Sequence, residues 1–88
     1  MNERKLEKHM KALANRRRLA ILAYLKRVGE ANVGGVASEM GLSLRAISRH
    51  LLILERVNIL YRVQRSRDVF YGISANPEDF VQKIISRL

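Results

Sequence analysis

The 88-residue chain has no cysteine, a hydrophobic content of 48% and a formal net charge of +9. These values exclude a disordered chain, disulfides and thiolate chemistry, and they predict one small domain for which dimerisation is the expected source of further stability. The excess of positive charge predicts a polyanionic partner, either nucleic acid or an acidic membrane surface.

No segment of the sequence predicts secretion or insertion into a membrane. The longest apolar run, Leu19 to Leu25, is far shorter than the roughly 18 residues that a spanning helix needs. The N-terminal residues, MNERKLEKHMK, lack the apolar core of a secretory signal. We therefore expect a cytoplasmic protein without a membrane partner.

Two helices are predicted in the first third of the chain. The first extends from Glu3 to Ala14. Its apolar face consists of Leu6, Met10 and Leu13. The second begins after Asn15, which can cap it, and continues to about Val28, where Gly29 ends it.

Three arginines, Arg16, Arg17 and Arg18, occupy the first turn of the second helix. The positive end of the helix dipole lies there, so each cation costs on the order of a few tenths of a kcal/mol. A bound phosphate would offset that cost, which makes Arg16 and Arg17 candidate DNA contacts. The alternative is that one or two of the arginines pair with Glu7 or Glu55.

The segment from Val36 to Asn58 predicts two short helices joined by a turn at Gly41. The preceding stretch, Gly29 to Gly35, is a connection or a weak helix start, because adjacent glycines disfavour a helix. Ser43 can cap the second helix of the pair. The apolar face of that helix consists of Leu44, Ile47, Leu51 and Leu54. Its other face carries Arg45, Ser48, Arg49, Leu52 and Arg56.

That second face is cationic, with a short hydrogen-bonding side chain between the charges. Such a helix can enter the major groove of DNA, where guanidinium groups pair with guanine and hydroxyls bond several bases. We therefore predict a recognition helix over residues 43–57, with Arg56 among its DNA contacts.

After Asn58 the apolar residues alternate, which predicts a β-hairpin. The polar turn from Arg65 to Asp68 places Arg65, Ser66 and Arg67 at the tip of this hairpin. An exposed tip ordinarily serves solubility, but next to a cationic helix it can also contact the phosphate backbone or a minor groove. Gly72 in the second strand predicts a bulge.

A terminal helix is predicted to begin at Asn76 and Pro77, followed by the acidic Glu78 and Asp79. Its apolar stripe consists of Phe80, Val81, Ile84, Ile85 and Leu88. This stripe either docks on the domain or meets its counterpart across a dimer axis. We predict the dimer, with the first helix alongside, because the small core leaves little room for both helices.

The only histidines, His9 and His50, do not predict a metal site or another cofactor site, because neither has a second ligand three or four residues away. A site shared across a dimer, with His9 and either Glu78 or Asp79, stays open. Ser48 cannot pair with His50 as a nucleophile and base, since residues two apart on a helix point in different directions. An enzyme is not predicted.

Three segments resemble the arsenical-resistance-repressor (ArsR/SmtB) family of bacterial and archaeal transcription factors. They are KALANRRRLAIL at 11–22, VASEMGLSLRAISRHLLILERVNIL at 36–60 and VFYGIS at 69–74. The resemblance implies a mainly α fold with a small β-hairpin wing, the winged helix-turn-helix. It also implies a homodimer that binds a palindromic operator and represses transcription until an effector relieves it.

The family's DNA-contacting positions fall on the predicted recognition helix and on the wing at Arg65 to Arg67. On the helix they are Ser43, Arg45, Ala46, Ser48, Arg49 and His50. The cysteines that sense soft metals in other members fall on Asn32 and Gly34, and the last helix offers only Glu78 and Asp79 as ligands. The resemblance therefore supports DNA binding and argues against metal sensing.

The leading hypothesis is a single winged helix-turn-helix domain over residues 1–88, with its terminal helices at a dimer interface. It would act as a dimeric, sequence-specific repressor of transcription on double-stranded DNA in the cytoplasm, at the nucleoid, without a cofactor. The effector, if there is one, is left open. The alternatives are a protein-interaction module built on a winged-helix dimer, and a binder of RNA or chromatin without sequence preference.

Overall fold

The computed structural model describes all 88 residues as five helices and a small antiparallel sheet. In chain order the elements are α1 (Glu3–Leu13), α2 (Arg16–Val28), β1 (Glu30–Asn32), α3 (Val33–Met40), α4 (Leu44–Arg56), β2 (Leu60–Arg65), β3 (Asp68–Ile73) and α5 (Asp79–Ser86). The strand order is β1-β3-β2, and the hairpin of β2 and β3 forms a wing that contacts α3 and α4. The fold is a winged helix-turn-helix, as predicted.

The predicted N-terminal starts of α2 and α4 are confirmed by their capping hydrogen bonds. The side chain of Asn15 accepts a hydrogen bond from the Arg18 backbone N–H at 3.1 Å, and the Ser43 hydroxyl accepts one from that of Ala46 at 3.1 Å. Gly41 ends α3 in the left-handed conformation, with φ of 66°. Gly41 and the Ser43 cap together fix where the turn between α3 and α4 lies.

The stretch from Gly29 to Gly35 contains more structure than the sequence predicted. Its middle, β1, pairs with β3, and α3 begins directly afterwards. The Asn32 side chain caps α3 by accepting a hydrogen bond from the Gly35 backbone N–H at 2.7 Å. This bond offsets part of the cost of two glycines in the first helical turn. A strand of three residues has no period of its own, so only its pairing with β3 reveals it.

The core lies between α2, α3, α4 and the sheet. Helix α4 is fixed to it by Ile47, Leu51 and Leu54, each with 0% of its surface exposed. Burial of each such side chain contributes about 1.5–3 kcal/mol. Leu44 departs from the prediction, because 59% of its surface is exposed: the apolar face of α4 extends one turn beyond the core.

The wing is a regular hairpin with a turn of two residues, Ser66 and Arg67, between the paired Arg65 and Asp68. The bulge predicted at Gly72 is wrong, since Gly72 pairs without interruption with Tyr61 on one side and Glu30 on the other. Its role is steric: the Tyr61 ring lies across it, where any side chain would overlap the ring.

Helix α5 begins at Asp79, two residues later than Pro77, and its N-cap Glu78 makes no side-chain capping bond. It docks on α2 of its own chain, where the Lys26 ammonium donates to the carbonyl oxygens of Ile85 (3.3 Å) and Ser86 (3.4 Å). None of the helices is both long and apolar enough to cross a membrane.

Three of the residues predicted for the dimer interface belong instead to the core of a single chain. Val81, Leu13 and Ile85 are 0%, 5% and 8% exposed, so they leave almost no surface for a second copy. One side of α1 and of α5 packs against the core of its own chain, and another side faces solvent. The predicted interface residues that remain accessible are Leu6, Met10 and Leu88, which are exposed, and Phe80 and Ile84, which are half-buried.

Candidate nucleic-acid interface

The outward face of α4 presents Arg45, Ser48 and Arg49 to solvent, because the buried side chains on its opposite face fix its rotation. None of the four ion pairs of the molecule involves Arg45 or Arg49. Both guanidinium groups are therefore free to pair with guanine or with phosphate oxygens. Ala46 lies beside them and is half-buried.

Leu44 is a residue of this surface that the sequence pattern assigned to the core. It is the first residue of α4, and side chains on a helix point back toward its N-terminus. Leu44 therefore projects from the tip of the helix, next to the turn that Ser43 caps. The signal that could have identified it is its position directly after the cap, one turn ahead of the first buried residue, Ile47.

Arg18 has a structural role and does not need a phosphate. Its Nε donates to the Ala12 carbonyl at 2.6 Å and its Nη2 to that of Lys11 at 3.1 Å, so it neutralises the negative end of the α1 dipole. The predicted alternative of ion pairs with Glu7 or Glu55 is wrong: Glu7 pairs with Lys11 at 3.8 Å, and no arginine pairs with Glu55.

Arg16 and Arg17, in contrast, are exposed and lie outside the ion pairs. This end of α2 lies next to α4, because Nη1 of Arg18 is 3.2 Å from Nδ1 of His50. The first turn of α2, which carries Arg16 and Arg17, is therefore adjacent to α4.

His50 is half-buried at the junction of α1, α2 and α4. Burial lowers its pKa, and the charges of Arg18, Arg17 and Arg49 lower it further, so the ring is neutral at pH 7. Its Nδ1 faces Arg18 Nη1 at 3.2 Å and accepts a hydrogen bond in the Nε2–H tautomer. The structure therefore favours a packing role for His50, with only the Nε2 edge left for a partner.

The two arginines predicted for the wing tip differ in their surroundings. Arg65 lies in β2, forms an ion pair with Glu30 of β1 and stacks on Phe70, with its guanidinium carbon 5.6 Å from the ring centre. The Tyr61 hydroxyl donates to the same Glu30 carboxylate at 2.5 Å. Arg67, in the turn with Ser66, is exposed and outside the ion pairs.

Arg56 ends α4 at the side away from the turn. With a rise of 1.5 Å per residue, it lies about 20 Å from Ser43 along the helix. Its side chain lines a groove against α1 together with Lys8. The structure therefore separates Arg56 from the surface that Arg45 and Arg49 form.

The resulting surface offers N–H and O–H donors together with one apolar side chain at the tip of α4. Guanine N7 and O6 and the phosphate oxygens are acceptors, which complement this set of donors. In the whole chain, no group of three or more His, Cys, Asp or Glu side chains comes close enough together to hold a metal ion.

Comparison with known proteins identifies relatives of the same architecture. Residues 15–62 match the profile described as "Bacterial regulatory protein, arsR family". The chain is 34% identical to the transcriptional activator HlyU of Vibrio cholerae over 95 residues, which cover 100% of this chain and 87% of HlyU. It is 35% identical to the nodulation protein NolR of Rhizobium meliloti over 79 residues, which cover 90% of this chain and 62% of NolR.

Solved structures agree with the sequence matches. Reduced HlyU from Vibrio cholerae superposes with a TM-score of 0.82 at 36% identity, covering 99% of this chain and 87% of that chain. The homodimeric winged helix-turn-helix DNA-binding domain of Mb0332 from Mycobacterium bovis superposes with a TM-score of 0.81 at 28% identity, covering 94% and 73%. Both matches extend over nearly the whole chain.

Proposed function

Because the chain belongs to the ArsR family of bacterial regulatory proteins, we propose that two copies of it bind a palindromic operator and repress the adjoining promoter. Members of this family are DNA-binding transcriptional regulators and not enzymes, and HlyU is named as a transcriptional activator. The observation that carries the proposal is the outward, unpaired state of Arg45 and Arg49 on a helix that three fully buried side chains hold in place.

The tip of α4 reads bases in this proposal. Arg45 and Arg49 pair with guanine, Ser48 bonds an adjacent base, and Leu44 covers the methyl group of a thymine, the apolar group on the floor of the major groove. The Ser43 hydroxyl caps α4, and the backbone N–H of Ser43 is left to donate to a phosphate. The half-buried Ala46 permits close approach of the helix.

In this proposal α4 is the reading helix, and phosphate contacts surround it. Arg16 and Arg17 bind phosphates of the DNA backbone on one side of α4, and Arg67 with Ser66 binds them on the other side. His50 contributes at most its Nε2 edge. Arg65 contributes only after it leaves Glu30, and Arg56 lies outside this interface.

The dimer forms through the accessible apolar side chains of α1 and α5, which are Leu6, Met10, Phe80, Ile84 and Leu88. The exposure of Leu6 (42%) and Met10 (52%) on one helix face supports this arrangement. The homodimeric state of Mb0332 is a second support. Equivalent reading helices would lie about 34 Å apart, one turn of the duplex.

Selection of genomic fragments with the purified protein tests the proposal. We expect a palindromic site whose half-sites are one helical turn apart, bound by two copies as measured by light scattering, and unchanged in affinity with a metal chelator. Recovery of fragments without a shared motif would contradict sequence-specific binding.

The sign of regulation is the next step. In a small domain whose cationic face is occupied by DNA, repression through exclusion of RNA polymerase is the simplest mechanism, and the nucleoid of a prokaryotic cytoplasm is the expected location. Transcription in vitro from a promoter that overlaps the recovered site should fall when the protein is added. Increased transcription would assign the chain the activating role that the name of HlyU states.

A further inference from the structure

A groove runs between α1 and the C-terminal half of α4, on the part of the molecule that the proposed DNA contacts leave unused. It consists of two adjoining hollows of about 360 and 420 Å³. Lys8, Arg56 and Val57 line both hollows. The two volumes therefore form one continuous depression, large enough for a small organic molecule.

The charge of this groove is strongly unbalanced. Its cationic side chains are Lys5, Lys8, Lys11, Arg18 and Arg56, and its only acidic one is Glu78. Lys11 is paired with Glu7, and Arg18 donates to backbone carbonyls. Lys5, Lys8 and Arg56 take part in no ion pair, so no carboxylate of the chain neutralises them and an anion from outside can bind there.

The floor of the groove is apolar. Ala12 is 1% exposed, and Ile53 and Val57 are half-buried and pack against the core. Asn58 and Asn76 add amide groups at one end. Cations above an apolar floor suit a ligand that carries a negative group and an apolar body, and suit an inorganic anion less well.

We propose that this groove is a binding site for a small organic anion. A carboxylate or phosphate group of the ligand lies between Lys8 and Arg56, and its apolar body covers Ile53 and Val57. Ligand binding itself does not depend on the proposed operator, whereas its regulatory consequence rests on the proposed function.

The regulatory consequence follows from the elements that meet at the groove. Arg56 is the last residue of α4, the reading helix, and Asn76 and Glu78 lie directly before α5, a helix of the proposed dimer interface. A ligand held between them contacts both elements at once. Its binding free energy differs between the free and the DNA-bound states whenever the spacing of α1 and α4 differs.

The test uses anilinonaphthalene sulfonate, an organic anion with an apolar body, titrated into the full chain without DNA. We expect saturable fluorescence and a shift of the Arg56 Nε–H resonance. In the double variant Lys8→Gln/Arg56→Gln the affinity should fall by about tenfold or more. Arg4→Gln removes a charge from α1 outside the groove and should leave the affinity unchanged. Equal affinity in all three proteins would overturn the proposal.

Two further measurements keep the interpretation specific. Anilinonaphthalene without its sulfonate should bind the protein and the double variant equally, and circular dichroism should show that both are folded. If duplex DNA displaces the probe, and Lys8→Gln/Arg56→Gln flattens the salt dependence of duplex binding, the groove takes a DNA phosphate and the small-ligand proposal is wrong. If the probe binds as expected but the genomic selection recovers no operator, the proposed function is refuted and the ligand site is retained.

Discussion

The outward face of α4 and the wing are both rich in arginine, yet their arginines are in different states. Arg45 and Arg49 extend from α4 without a carboxylate partner, whereas Arg65 of the wing is held by Glu30 and by the ring of Phe70. Arg67 at the wing tip, like the two helix arginines, takes part in no ion pair. The number of positive charges in a segment therefore overstates the number that can reach DNA.

The difference arises from the sheet. Glu30, Gly72 and Tyr61 form one row across β1, β3 and β2, and the missing side chain of Gly72 lets the Tyr61 hydroxyl reach the Glu30 carboxylate. The same carboxylate binds Arg65. On α4, no acidic residue lies three or four positions from Arg45 or Arg49, so neither arginine has a carboxylate partner on its own helix.

The largest effect is expected at the reading helix. Arg49→Ala should weaken operator binding by roughly 5- to 150-fold, the equivalent of about 1–3 kcal/mol for a bidentate contact with guanine, and change random-duplex binding much less. Arg67→Ala, the matched wing variant, should weaken both duplexes about equally. Mobility-shift titrations measure this, and equal losses on both duplexes for Arg49→Ala would remove the contrast between the two regions.

The row across the sheet can be broken at its centre. Gly72→Ala places a methyl group into the Tyr61 ring and should lower the free energy of unfolding by about 1–3 kcal/mol in a urea titration. In the Tyr61→Ala background there is no ring to overlap, so adding Gly72→Ala should lower the free energy of unfolding much less than it does in the original protein. A fully additive double variant would show that the two residues do not interact.

The tip of α4 can be tested one methyl group at a time. Replacing a single thymidine of the half-site by deoxyuridine removes only the C5-methyl, and at the position that Leu44 covers it should cost about 0.8 kcal/mol, or about fourfold in affinity. Leu44→Ala should be insensitive to the same replacement. If no thymidine in the site shows a loss, Leu44 does not read a base.

Removing the Glu30 carboxylate should leave Arg65 of the wing without an ion-pair partner, as Arg45 and Arg49 of α4 are. Glu30→Gln removes the carboxylate, so Arg65 can reach a phosphate, and the log–log salt slope of binding should steepen by about 0.9 for each protomer. Adding Arg65→Gln should return the slope to its original value. A slope that Glu30→Gln leaves unchanged would mean that Arg65 cannot reach the duplex.

The smallest effect is expected from acid. Because the pKa of His50 is lowered in the folded protein, the unfolded chain binds a proton first as the pH falls below about 6.5. The stability that neutral His50 contributes is complete above that pH and is lost as the pH falls through the folded pKa. Urea titrations from pH 7.5 to 5 should show the decrease, and His50→Gln should reduce its slope.

The order of helices, the caps at Asn15 and Ser43 and the cationic face of α4 were predictable from the sequence. They depend on periodicity and on hydrogen bonds between residues three or four apart, and both are properties of a short segment. The same period predicts which side of α4 faces outward. The buried Ile47, Leu51 and Leu54 fix the rotation of the helix about its axis. The opposite side, with Arg45, Ser48 and Arg49, is therefore exposed.

Tertiary structure alone decided the partners of Arg18 and Arg65. Arg18 turned to the carbonyls that end α1, and Arg65 to a carboxylate 35 residues away. The exposure of Leu44 and the burial of Val81 likewise depend on where the core ends. An ion pair or a buried contact requires the meeting of two distant segments, and the sequence of neither segment contains the geometry of that meeting.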